Sequence, residues 1–595
     1  MAGITFNGDF KPTQAHWASL GASIINYYPN AARHTMAQLE FNDAHIDHLV
    51  WQSIEHSPCS KDFEAYLELF MKPLHDAEAC QQIERLLHAS PTDNASVACF
   101  GSALDALSPL ANSGDSSAQF YLAKCLSFGL GVPADYAQAF KQYTLAGLQG
   151  DLRAWANIAG AHYSGIGLEQ SYEKAMDYYQ KAYAINHDSL VVRSIARMHI
   201  NGYGVEKDAA KGLALMMQEI EQGDCDVLAL LGNMQMSGDG IPKNEQEGLR
   251  NIRLAAEGGD DYAQYLLAFS YDNGRGIAED FTQAVHWYKQ AAAQNFSAAQ
   301  ECLGTLYLRG EGVAKNGAEG MRLLRIAACH GSASAAYKIG LTFLNGIDAI
   351  PNAAEASRWF QFSADRGNMA AVLELANLYE AGNGVVADQA KANQLYLKAA
   401  KHGDRWAQFR IGFRYWVGRH LEKDLHQAFK WFSVAALQGY SRAQVAMGDF
   451  YEAGLACPKD GDKALVWFRR AAEQNDPLGM DKLGYAYLFG HGVEVDYAEA
   501  VSWLMKAADL GSANASFYIG EMLRRGLGVT CNLGRASEWM LSAAQNDYAP
   551  AQYALGKMYA NGEGLAVNRE EAIKWMTKSA EQGDEDAKEW LEEQG

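Results

Sequence analysis

The chain has 595 residues, of which 49% are hydrophobic and 20% charged, with 56 Gly and only 12 Pro. That balance is typical of a folded protein rather than a disordered one, and a length of roughly four ordinary domains makes internal repetition the first thing to look for. A formal net charge of −21 excludes a nonspecific grip on nucleic acid or anionic lipid, which requires clustered Lys and Arg, and favours basic partner surfaces.

The chain opens MAGITFNGDFKPTQAHW, with no basic n-region, continuous apolar h-region or small-residue cleavage site, so no secretory signal is expected. No stretch of about 18 apolar residues is present to enter a membrane. Nine Cys, an odd number without a C-x-x-C pair, read as reduced thiols, and the expected location is cytoplasmic. Residues 1–114 carry helical periodicity in segments such as HIDHLVWQSIEHS and NASVACFGSALDALSPLANS, which predicts a helical N-terminal region of degenerate hairpins capping the rest of the chain. His45 and His48 stand one turn apart near Asp43 and Asp47. Without a recognisable ligand spacing they read as a solvated helix face, so no metal or cofactor is expected. No motif here or downstream argues for a nucleophile, and the chain reads as a non-enzyme. The alternative is an enzyme whose active site lies in this region and whose remaining length selects the substrate.

From about residue 115 a period takes over. Turn glycines follow one another at Gly129 (GLGV), Gly165 (GIGL), Gly202 (GYGV), Gly238 (GDGI) and onward to Gly562 (GEGL), in steps of 36 with one of 37, giving thirteen units over residues 115–584. Each unit contains two helical patterns. In the last, Ala551, Leu555, Gly556 and Tyr559 form the apolar stripe of a helix A, and Ala572, Trp575, Met576, Ser579 and Ala580 that of a helix B, with the small residues expected to let neighbouring helices approach and the Trp to fill the space beside them. Gly-Asp pairs such as Gly259-Asp260 and Gly403-Asp404 predict a left-handed helix end followed by the next N-cap. Asp280-x-x-Gln283, Asn352-x-x-Glu355, Asp496-x-x-Glu499 and Asn568-x-x-Glu571 predict capping boxes. The Gly-x-Gly turn is not a phosphate loop: a dinucleotide fingerprint follows a strand and opens a helix, whereas this turn closes one. Three turns lack the second glycine, GIDA, GRHL and GLAC after Gly346, Gly418 and Gly454, and are expected to be reshaped. Residues 585–595 are left as a C-terminal capping helix.

Ala551, Leu555, Gly556, Tyr559, Gly562, Gly564, Leu565, Ala572, Trp575 and Ala580 together resemble the pattern of the Sel-1-like repeat family, relatives of the tetratricopeptide repeats. The resemblance covers about four fifths of the chain. It implies an all-α fold, an α-solenoid superhelix of about thirteen helix-turn-helix repeats, acting as a scaffold or adaptor that binds proteins, as family members do in signalling, protein quality control and bacterial host interaction. Some secreted bacterial members carry two Cys in every repeat, a ladder absent here.

In such a superhelix helix A lines the concave face, and the positions nine, five, two and one before each turn glycine are expected to be exposed on it. They supply Phe120, Tyr265, Phe269, Tyr337, Phe409, Phe413, Trp416, Tyr485, Phe517 and Tyr553, interleaved with Asp449, Glu452, Asp481 and Arg524. Aromatic anchors beside carboxylates predict a groove for a partner segment carrying basic and apolar residues, centred on Phe409, Phe413 and Trp416 beside Asp449 and Glu452. Neither nucleic acid nor membrane insertion is expected. An exported receptor for glycan or peptidoglycan is a third reading, since aromatic grooves also suit sugars.

Overall fold

A computed structural model describes residues 36–54, 66, 69, 78–79, 82, 101–130, 132–346 and 350–594. All 29 regular elements among them are helices. Helix A of repeat 1 runs Ser116–Phe128 and its helix B Tyr136–Leu148; the pair recurs to repeat 13, Ala549–Asn561 and Arg569–Glu581, and a final helix covers Glu585–Gln594. The chain is an all-α solenoid of paired helices. It divides into two compact units, Met1–Ala371 and Val372–Gly595.

The turn logic holds at atomic detail. Gly259, Gly403 and Gly583 take φ of 97°, 96° and 97°, and the Asp that follows caps the next helix, as where the Ala407 N–H donates to Asp404 at 2.7 Å. Such a cap contributes about 1 kcal/mol. Helix B is capped from Asp280, Asn352, Asp496 and Asn568 as expected, but the box is only half formed. The N-cap N–H is already engaged in closing the hairpin: Asp280 donates to the Tyr271 carbonyl (3.0 Å), Asn352 to Phe343 (2.8 Å), Asp496 to Tyr487 (3.0 Å) and Asn568 to Tyr559 (3.0 Å). The N3 carboxylates are released to other donors, so Glu499 and Glu571 accept from the Trp503 and Trp575 indoles at 3.0 and 3.1 Å.

Two expectations are corrected. The turns after Gly418 and Gly454 are not reshaped, because His420 (φ 64°) and Ala456 (φ 56°) adopt the left-handed conformation in which Gly stands elsewhere, at a cost of about 1–2 kcal/mol each. The third, GIDA, falls on residues 347–349, outside the described residues. Nor is the helix B Trp the usual filler between helices. Trp359 and Trp575 are buried, but Trp287, Trp431, Trp467, Trp503 and Trp539 are half-buried, and the residue after each is the sealed one: Tyr288, Phe432, Phe468, Leu504 and Met540. The reason is the glycine of helix A. An added Cβ at Gly412 would come within 2.8 Å of Phe432, and at Gly448 within 2.3 Å of Phe468, so the missing side chain of one helix is the socket for the ring of the other.

A buried polar ladder completes the stack. In the dipeptide Ala-Gln of helix A, Gln408, Gln444 and Gln552 donate to the Ala400, Ala436 and Ala544 carbonyls of the preceding helix B (3.1–3.2 Å). Their Oε1 atoms accept from Gln438, Gln474 and Gln582 at 2.9, 2.7 and 2.8 Å. These bonds tie the end of one helix B, the next helix A and the next helix B together without leaving a buried amide unsatisfied. At the other end, Met36–Ile54 contributes Ile46, Val50, Trp51 and Ile54 to the core of the first unit. Arg153 of repeat 2 reaches Asp43 at 2.7 Å and Asp151 at 2.8 Å.

Candidate functional site

The helix A positions picked from the sequence separate by depth. Nine residues before the turn glycine, the aromatics pack on the buried ring of their own helix B: Tyr265 on Tyr288 (6.1 Å between centroids), Tyr337 on Phe360 (5.8 Å) and Phe409 on Phe432 (5.6 Å). Burial lifts the Tyr265 phenol well above its usual value. Phe517 lies against Tyr548 of the following repeat at 5.5 Å, and Tyr553 carries the Lys557 ammonium 5.2 Å from its ring. Phe120, expected to be exposed, is sealed instead: it is 6% exposed, and the Arg153 guanidinium sits 4.3 Å over its ring.

Five residues before the glycine the side chains stand further out. Phe413 is 40% exposed and Phe269 half-buried beside Tyr265. Trp416 touches Phe413 edge-on (5.9 Å) but also packs on Phe432 and Phe450 at 6.2 and 5.8 Å. It is therefore a wedge between repeats 9 and 10 as much as a surface group. Arg524 is held by Glu521 through two 3.0 Å hydrogen bonds, and that partner raises its pKa.

The most developed site in the unit Val372–Gly595 joins helix A of repeat 10 (Ser441–Ala453), repeat 11 (Pro477–Phe489) and repeat 12 (Ala513–Arg525). Glu452, Asp481, Lys482, Tyr485, Asn514 and Tyr518 line one recess. Lys482 reaches Asp449 at 2.7 Å. Burial pulls its ammonium pKa down, but the bond to Asp449 and the charges of Asp449, Glu452 and Asp481 carry it above the usual lysine value. Asp481, expected on the exposed face, is only 5% exposed. Burial raises its pKa against the Asn514 hydrogen bond and the Lys482 charge. Glu452 meets the His491 ring at 3.2 Å. Tyr485, Phe489 and Tyr518 close one side, with centroids 4.6–5.8 Å apart, and Phe489 is 48% exposed.

Tyr485, Asp449 and Glu452 were legible from their spacing, and Phe489 falls on the position one before the glycine. Lys482, Tyr518 and Asn514 were missed. They lie eight and twelve before it, on the adjacent stripe of the same helix, and only the neighbouring repeat turns that stripe inward. The arrangement offers carboxylates and aromatic faces to a cation. Among the described residues no group of three or more His, Cys, Asp or Glu could hold a metal ion, and no helix is long and apolar enough to cross a membrane. His48 shares a hydrogen bond with Gln52 at 3.0 Å, whereas His16, His34, His56, His75 and His88 lie outside the described residues.

The family model described as Sel1 repeat matches thirteen segments between residues 116 and 584. Among solved structures the chain is similar to c5321, a protective antigen present in uropathogenic Escherichia coli strains, at 26% identity and a TM-score of 0.52, over 74% of this chain and 86% of that one. It is also similar to a Sel1 repeat protein from Oxalobacter formigenes, at 30% identity and a TM-score of 0.44, over 52% of this chain and 90% of that one. No curated protein matches it.

Proposed function

The chain belongs to the Sel1 repeat family, and on that premise we propose that it is a non-catalytic scaffold that seats basic and apolar segments of partner proteins on the helix A faces of its repeats. The observation that carries this reading is the exposure of large aromatics on those faces, Phe413 at 40% and Phe489 at 48%, the second 6.3 Å from the His491 ring that Glu452 meets at 3.2 Å. Apolar surface bordered by charge favours contact with another protein. The fold itself is one commonly used for protein interaction. Cys225, Cys302, Cys457 and Cys531 are free thiols, which suits a reducing compartment and favours a cytoplasmic scaffold over an exported glycan receptor.

Site-specific photo-crosslinking tests the reading. A photoreactive phenylalanine analogue at position 413 is expected to trap a protein in cells, and the same analogue at Leu437, 71% exposed on helix B of repeat 9, is expected not to. Equal trapping at both positions would overturn the assignment to helix A, and none at 413 would overturn the placement of the contact at Phe413.

A further inference from the structure

We propose that the recess between repeats 10, 11 and 12 is a receptor site for one arginine side chain of an extended partner segment. The inference rests on the scaffold reading only in taking the cation to be carried by a protein. Three carboxylates, Asp449, Glu452 and Asp481, gather here around a single ammonium, that of Lys482, which is committed to Asp449 at 2.7 Å. Asp481 is the decisive group. It lines the recess and is 95% buried by its 5% exposure. Its Oδ2 accepts from Asn514 at 2.8 Å, while its Oδ1 receives no hydrogen bond. A buried carboxylate oxygen without a donor is rare unless something supplies one; the Ser512 hydroxyl, which also bonds to this carboxyl, lowers its pKa but leaves burial the larger effect.

The walls select the kind of cation. Tyr485 and Tyr518 meet edge to face at 5.4 Å, and Phe489 lies 4.6 Å from Tyr485 and 5.8 Å from Tyr518. A guanidinium is planar, weakly hydrated and able to lie on such rings while its fork reaches two carboxylates. An ammonium is more strongly hydrated and presents a point charge without a face. Glu452, 31% exposed at its side chain, stands at the mouth, where it can take the second pair of donors. Phe489 and its neighbours offer apolar surface to the residues flanking the arginine.

The test uses the intact protein and a short fluorescein-labelled peptide of Gly, Ser and Leu with one central arginine, alongside versions with lysine and with citrulline, the neutral isostere. Binding is followed by fluorescence anisotropy at low and at physiological salt. The arginine peptide is expected to bind tightest, and about tenfold or more of that affinity is expected to vanish on citrulline substitution and in Asp481→Asn, the loss of a charge-assisted hydrogen bond at a desolvated site. Glu452→Gln, at a half-buried position where the amide keeps an acceptor for the His491 ring, is expected to weaken binding less and to flatten its salt dependence. Equal affinity for the citrulline peptide, unchanged affinity in both variants, or lysine binding as tightly as arginine would each overturn the assignment. If no arginine peptide binds while crosslinking at position 413 still traps a protein, the recess assignment fails and the scaffold reading stands. Arginine binding without trapping at 413 supports the recess and overturns the placement of partner contacts at Phe413.

Discussion

Consider Gly448→Ala set beside Gly520→Ala, two identical changes at equivalent points of repeats 10 and 12. In an open helix either would stabilise by about 0.8–1.0 kcal/mol, because Ala loses less backbone entropy than Gly. At Gly448 the new Cβ would stand 2.3 Å from Phe468 Cε1, 2.5 Å from Cδ1 and 2.8 Å from Cζ. That ring is 2% exposed and rigid, so the clash forces the two helices apart. Overpacking of this kind costs about 1–3 kcal/mol, and three sub-van der Waals contacts place it at the upper end. The net expectation is a loss of about 2 kcal/mol after the propensity gain. At Gly520 the nearest atoms are Met540 Cε at 3.0 Å and Cγ and Sδ at 3.2 Å. A thioether chain can yield by rotating, so the net change is expected to be about zero. A repeat array need not unfold in two states, and the appropriate assay is native-state hydrogen exchange on the amides of Ser441–Ala453 and Gly461–Ala472 compared with those of Ala513–Arg525 and Leu533–Gln545. Adding Phe468→Leu to Gly448→Ala should recover part of the loss. Equal protection in the two single variants would refute the socket account of how these hairpins pack.

Three further outcomes are expected. Asp260 is buried, and its carboxyl is hydrogen-bonded to that of Asp226; burial first, then that bond and charge, hold its pKa above the usual carboxylate range. The folded state therefore binds the proton more tightly than the unfolded one, so its stabilisation is complete at acidic pH and declines as pH rises through the raised value. Thermal melts should show Asp260→Asn, which keeps an acceptor for the Ala263 N–H (2.6 Å now) and a donor for Asp226, losing less stability than the parent chain between about pH 5 and about pH 8. His420→Gly and Ala456→Gly relieve the left-handed strain at φ 64° and 56° and should each raise local stability by about 0.5–1 kcal/mol, read by native-state hydrogen exchange, since the relief exceeds the entropy that Gly adds to the unfolded chain. Phe413→Ala, at a 40% exposed site, should cost under about 1 kcal/mol, whereas Trp416→Ala, which removes contacts to Phe432 and Phe450, should cost about 2–3 kcal/mol. Calorimetry of the two single variants distinguishes a surface anchor from a wedge, which a double replacement would confound.

The sequence alone determined the repeat, the helix pairs and their punctuation. A 36-residue return of Ala, Leu-Gly and Tyr, with Gly-Asp at one turn and Gly-x-Gly at the other, leaves little freedom, because helix periodicity and left-handed glycines are local properties readable over a few neighbours. It also marked the helix A face on which Phe413, Asp449, Glu452 and Tyr485 lie. The tertiary structure decided the depth of each position on that face. Tyr265 and Phe409 rest on their own helix B rings, Asp481 is buried, and the Ala-Gln dipeptides bond from repeat to repeat as a ladder. Half of the capping box was lost because the N-cap N–H had a better-placed carbonyl nine residues back. The recess needs Glu452, Asp481 and Tyr518 from three successive repeats, and no window along one chain segment contains them. Exposure on a helix is set by how closely the next helix approaches, and that distance depends on the glycine and the ring that meet between them.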